Sequence, residues 1–226
     1  VTRLLPRRVR HSVWIASEQL DATRSARYNE LQEHLKRWFF DDDVREYVLD
    51  SLAAVLFGRH ALKQTKVLFL IVSHADCGKS LFFTLVRRAF GDALVATVGG
   101  EYITASASSA AKAALVKETS GRRLAWIDEL AGGGLNMGLL KSVFTSGVPP
   151  TARDPNTAQQ QTYEDGCAPM ITCNYAQLPS KPEADTLKKI AMIGETDAQG
   201  QRLLGSFVAD PTAADPAAGI FAKDRS

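Results

Sequence analysis

The chain has 226 residues, of which 45% are hydrophobic, and a formal net charge of +2. That length suits one substantial α/β domain with a helical appendage, and so small a net charge carries no signal for nucleic acid, so any basic surface must be local. Three cysteines (Cys77, Cys167, Cys173) make no disulfide framework and have no metal-ligand spacing, which fits an intracellular, reducing compartment. The longest uniformly apolar run, VLFLIV, is too short to span a bilayer.

The chain opens on Val1 rather than Met, as an excised fragment would. Arg3, Arg7, Arg8 and Arg10 come with no acid among them. They read either as an arm for a phosphate backbone or as a solvated, frayed terminus. No apolar signal-peptide core follows. From about Ala16 to Phe40 the pattern predicts a helix with Leu31, Leu35, Trp38 and Phe39 on one face. Asp41, Asp42 and Asp43 then precede a second helix, whose stripe is Val44, Tyr47, Val48, Leu52, Val55 and Leu56 and whose end is Gly58. The Asp run is a metal candidate or a helix cap. Carboxylates suit the positive end of a helix dipole, which favours the cap.

After Lys66 the texture changes. Val67 to Val72 reads as a buried parallel strand. KSLFFTLVRRAF is a helix ended by Gly91, ALVATV a second short strand, and SSAAKAALVKETSG a helix ended by Gly121. RRLAWIDEL contains a strand and MGLLKSVFTSG a helix. TARDPNTAQQQTYE reads as a hairpin or two short strands around Asp154-Pro155-Asn156, and APMITCN as a further buried strand. This alternation predicts an α/β fold, a parallel sheet with helices on both faces, preceded by a small helical segment. The expected divisions are a helical segment over 1–62, a core over 63–208 and a tail over 209–226, linker-like in its ADPTAADPAAG composition. There is no internal repeat.

Three motifs carry chemistry. The first is SHADCGKS, Ser73 to Ser80. Gly-Lys-Ser between a buried strand and a helix turns backbone N–H groups and a helix N-terminus onto phosphates. Ser73, His74, Ala75, Asp76, Cys77, Gly78, Lys79, Ser80 and Leu81 are the candidate nucleotide contacts. Lys79 would reach the β/γ phosphates of ATP and Ser80 would hold Mg²⁺. The alternative is a plain strand-to-helix turn. Cys77 is either an activated thiol near a helix N-terminus or a space-filling residue.

The second motif is LAWIDEL, a strand presenting Asp128 and Glu129 at its end, expected beside the phosphate-loop strand. Asp128 would contact Mg²⁺ and Glu129 would polarise the attacking water. The third is Asn174, at the tip of PMITCN, which would orient that water or touch the γ-phosphate, or else simply forms a turn.

Phosphate loop, Asp-Glu strand, a Lys-bearing helix followed by TSGVPPTAR, and a strand ending in Asn, in this order, resemble a superfamily 3 helicase of the AAA+ class. The likeness is to the helicase domain of the primase–helicases of large DNA viruses and related phages. It spans roughly Tyr28 to Ile193, including SGRRLAWIDEL and the positions Leu140, Lys141, Gly147 and Arg153. The resemblance implies a P-loop AAA+ core and a ring, usually hexameric, that encircles single-stranded DNA and translocates with ATP and Mg²⁺. It implies nucleotide between subunits and a pore lined by the hairpin after Lys141 and Gly147, with Lys141 and Arg153 as nucleic-acid contacts. It further implies a primase domain in the same full-length chain, no membrane, and a viral replication site or host cytoplasm or nucleus as location.

The sequence departs from the family pattern at three places. Ser73, Ala75 and Cys77 stand at the Gly, Gly and Asn positions of the loop. Asp154-Pro155-Asn156 carries no lysine at the hairpin tip. Lys188-Lys189 stands where the family has its arginine finger, with Lys189 first by its distance from Asn174, and lysine lacks the bidentate fork. Three readings follow: an ATP-driven DNA helicase motor, a degenerate AAA+ scaffold that assembles rings or recruits replication partners, and a small-molecule P-loop kinase. Asn174 and TSGVPPTAR fit a ring ATPase better than a kinase.

Overall fold

A computed structural model of the chain describes residues 22–57, 67–71, 78–104, 106–128, 134–145, 150–153, 160–163, 167–174, 190–208 and 211–223. The chain begins with two helices, α1 (Ala22–Trp38) and α2 (Asp42–Phe57). Asp41 ends the turn between them by accepting the Val44 N–H on its carboxylate at 2.9 Å, and Asp42 pairs with Arg45 at 2.6 Å. The Asp run is therefore a cap, as the dipole argument favours.

Strands and helices then alternate: β1 (Val67–Ile71), α3 (Lys79–Phe90), β2 (Val95–Gly99), α4 (Ser109–Thr119) and β3 (Leu124–Asp128). Gly91 stops α3 with φ 83°, a left-handed backbone that most residues resist. Ser108 caps α4, its side chain accepting the Ala111 N–H at 3.2 Å. The predicted helix from Met137 is only α5 (Met137–Leu140), continued as a π-helical turn over Lys141–Thr145. A hairpin follows, β4 (Thr151–Arg153) antiparallel to β5 (Gln160–Thr162), and then β6 (Ala168–Cys173) and β7 (Ile190–Ile193).

Five of these strands form one parallel sheet in the order β2-β3-β6-β1-β7. The fold is α/β with helices on both faces, as expected. One expectation is corrected: the Asp128 strand does not lie beside β1, because β6 sits between them. Buried parallel strands are uniformly apolar, so their composition holds little information about order.

Side-chain alternation divides the sheet. Leu124, Trp126, Ala168 and Met170 pack with Trp38, Phe39, Val48, Leu52, Phe82, Val86 and Phe90 in one core. Ala125, Ile127, Ile171 and Cys173 pack with Ile103, Leu115, Val116, Leu140, Val143 and Phe144 in the other. The helical pair thus shares one core with the sheet.

The linker-like composition of the tail is also misleading. β8 (Ser206–Val208) pairs in parallel with β9 (Ile220–Ala222), and between them Asp215 accepts the N–H groups of Ala217 and Ala218. Phe221 packs against Phe207 and Phe40, with ring centroids 6.0 and 6.3 Å away. The same region holds the turn after α1: Phe39 bridges to Leu204, Asp41 N–H donates to the Leu203 carbonyl at 3.2 Å, and Gly205 N–H donates to the Trp38 carbonyl at 3.0 Å. A Cβ at Gly205 would collide with the Arg37 carbonyl oxygen, so only glycine permits this approach.

Candidate active site

In a parallel sheet every strand delivers its C-terminal residue to the same edge, and alternation decides which face each side chain takes. Along β3 the positions facing α3 run Leu124, Trp126, Asp128. Along β6 they run Ala168, Met170, Thr172, and one step beyond the strand, Asn174. Asp128 and Thr172 are direct partners across the β3–β6 pair. Lys79 opens α3 at the same edge. Strand parity and the start of α3 together gather residues scattered over nearly a hundred positions.

Two hydrogen bonds tie the group. The Lys79 ammonium Nζ donates to Asn174 Oδ1 at 2.6 Å, a charge-assisted bond. Thr172 Oγ1 donates to Asp128 Oδ1 at 2.8 Å. Thr172 is fully buried, whereas Asp128, Asn174 and Ser80 are exposed. Lys79 and Asn174, predicted from separate motifs, are therefore direct partners, with Asp128 on the strand next to that of Asn174.

Gly78 stands immediately before α3 with φ 79°, in the left-handed region. A Cβ there would also lie 2.5 Å from Nε1 of Trp38, whose indole covers the glycine from the end of α1. Trp38 in turn meets Phe82 edge-on at 5.5 Å and stacks on His34 at 6.2 Å. Both backbone conformation and space thus demand glycine at this position. The helical segment touches the candidate phosphate site directly.

Cys173 points to the opposite face, buried at 1% exposure. Burial pushes its thiol up to about 11, with the Lys79 ammonium pulling weakly the other way. A thiol held neutral is a poor nucleophile, so Cys173 packs rather than reacts.

Leu81 is 59% exposed on the first turn of α3. Lys141 and Arg153 are exposed, Lys141 at the start of the π-helical turn and Arg153 at the tip end of β4, paired in register with Gln160. Ser73, His74, Ala75, Asp76, Cys77, Glu129, Asp154, Pro155, Asn156, Lys188 and Lys189 lie outside the described residues. Among the described residues no group of three or more His, Cys, Asp or Glu is arranged to hold a metal on its own, and no helix is long and apolar enough to cross a membrane.

Sequence reasoning missed Thr172 and Trp38. Thr172 left a signal: a hydroxyl on the α3-facing side of an otherwise apolar strand, two residues before Asn174. Trp38 left none, because its contact with Gly78 joins positions far apart in the chain.

Fold and edge together define a parallel α/β protein with a Gly-Lys-Ser turn at β1–α3 and polar residues at the ends of β3 and β6. No family model matches the chain, and no curated protein matches it. Among solved structures it is similar to a JCV helicase determined with a substituted N-phenylacetamide bound, at 11% identity and TM-score 0.42, over 66% of this chain and 40% of that one. It is also similar to the apo C-terminal region of NrS-1, at 12% identity and TM-score 0.39, over 76% of this chain and 35% of that one. The chain spans less than half the length of either.

Proposed function

We propose that the chain is an ATP-driven DNA helicase motor of the superfamily 3, AAA+ type, working as a ring in viral or phage-type DNA replication. The observation that carries this reading is the 2.6 Å bond between Lys79 and Asn174, with Asp128 at the same sheet edge. A cation, an amide and a carboxylate converge where a strand–turn–helix would bring a phosphate. The described residues fit magnesium nucleotide: Lys79 would supply charge for the β/γ phosphates, Ser80 and Asp128 would supply oxygens for Mg²⁺, and the first N–H groups of α3 would supply donors. Mg²⁺ would neutralise charge on the phosphates when bound.

In this reading Lys79 exchanges Asn174 for a phosphate oxygen when ATP arrives. That exchange releases the Asn174 amide to orient water, while Glu129 takes its proton. Lys189, or Lys188, of an adjacent subunit meets the charge developing on the γ-phosphate. Lys141 and Arg153 line the pore and hold the DNA backbone. Because the monomer is nearly neutral, such binding requires assembly and weakens with salt. A primase domain in the full-length chain would complete the replication machine.

The altered loop, with Ser73, Ala75 and Cys77, and the Lys188-Lys189 pair favour one alternative, a ring scaffold that binds nucleotide without efficient hydrolysis. The pair Lys79→Ala and Glu129→Gln separates the two. In the motor, Lys79→Ala weakens ATP binding, and Glu129→Gln binds ATP without turnover. Wild-type turnover in Glu129→Gln would remove Glu129 from the chemistry, and undetectable hydrolysis in the parent chain would favour the scaffold.

A further inference from the structure

We propose that Thr172 is a positioning residue for Asp128, holding one carboxylate oxygen so that the other is aimed at the metal; this rests on the nucleotide-site reading above. Thr172 is fully buried in a strand whose other α3-facing residues are Ala168 and Met170. A hydroxyl at such a position is costly unless its proton is used. Threonine has one proton to give, and two acceptors are near. The Asp128 carboxylate lies at 2.8 Å, whereas the Ile127 carbonyl lies at 3.5 Å, the outer limit of a hydrogen bond. The proton therefore goes to Asp128.

The geometry is fixed by the sheet rather than by side-chain choice. Thr172 and Asp128 are register partners on adjacent parallel strands, with their side chains on the same face. Valine, of the same shape, would fill the space equally well and would leave Asp128 free to rotate. Asp128 is itself exposed, so water would satisfy its carboxylate without Thr172. The bond is thus not needed to shelter a buried charge. What it supplies is orientation, and hydrogen bonds from outside the metal shell commonly have that effect on ligating carboxylates.

The test is a titration of MnCl₂ into the chain saturated with a non-hydrolysable ATP analogue, with free Mn²⁺ followed by electron paramagnetic resonance. Thr172→Val and Thr172→Ala are expected to weaken Mn²⁺ binding by roughly 10- to 100-fold, and Thr172→Ser to stay within about threefold of wild type. Affinity for the analogue in EDTA should be unchanged in all three. Thr172→Ala, which cannot overpack, decides the matter if Thr172→Val does not fold. If both hydroxyl-free variants bind Mn²⁺ like wild type while Asp128→Asn loses it, the positioning role is overturned and Asp128 keeps its assignment. If Asp128→Asn also binds like wild type, the metal assignment falls and the positioning role falls with it.

Discussion

The two faces of the sheet are built from different material. Toward α1, α2 and α3 the core is aromatic: Phe39 meets Phe82 at 5.1 Å, and Phe83 meets Trp126 at 4.5 Å, with Trp38 over Gly78 at its margin. Toward α4 and α5 it is chiefly aliphatic, with Ile103, Leu115, Val116, Ile127 and Leu140 around Phe144. Among the described residues, the first face also carries the candidate site residues that the structure brings together, namely Lys79, Asp128, Thr172 and Asn174. The second carries the hairpin strand β4 through Ala152. Packing and chemistry are therefore coupled on one face and separable on the other.

Truncating one large side chain on each face separates the two most clearly. Trp38→Ala and Phe144→Ala should each cost about 3–5 kcal/mol in urea unfolding, as large-to-small changes in cores do. Only Trp38→Ala should also weaken nucleotide binding in the fraction that remains folded, because only its ring supports Gly78. Equal loss of binding in both variants would dissolve the distinction.

Gly78→Ala comes next. A left-handed alanine costs about 1–2 kcal/mol, and the new methyl group must also displace the indole. In the Trp38→Ala background the second cost disappears, so a double-mutant cycle should be less than additive, measured by thermal unfolding. Strict additivity would mean that Trp38 and Gly78 do not meet.

Asn174→Ala is expected to have a smaller and opposite pair of effects. Without the Asn174 amide, Lys79 should bind nucleotide no more weakly, and up to about fivefold more tightly, since a hydrogen bond is worth about 1 kcal/mol net. Turnover should fall. Calorimetry and a steady-state assay on the same sample read both, and weaker binding with unchanged turnover would contradict the exchange.

The mildest expectation concerns pH. The Cys173 thiol is raised from 9.0 to about 11 by burial, so the folded chain keeps a proton that the unfolded chain gives up. Its contribution to stability is complete below about pH 9 and is lost as pH rises toward about 11, the sign required when the native state binds more protons. Chemical denaturation from pH 8 to 11 should show the decline, and Cys173→Ala should flatten it.

Local chemistry made much of this fold legible. Gly91 after a periodic run, Asp41 before one, and the apolar runs of β1, β3 and β6 each state their structure within a few residues. Strand order is not local, and so β6 was not expected between β1 and β3. β7 has four residues and β8 and β9 three each, too few for a period to emerge against the composition around them. The positions of Lys79, Asp128 and Asn174 at one sheet edge were readable because each ends or begins an element with a recognisable pattern. Thr172 needed the register of two strands, and Trp38 needed the packing of α1 on α3.

Steady-state ATP hydrolysis by the parent chain, measured with Mg²⁺ in the presence and absence of single-stranded DNA and with Lys79→Ala as control, tests the proposed motor most directly. A motor built on this edge predicts slow hydrolysis that rises with DNA, falls with added salt, and vanishes in Lys79→Ala. Hydrolysis indifferent to DNA, or equal in Lys79→Ala, would contradict it.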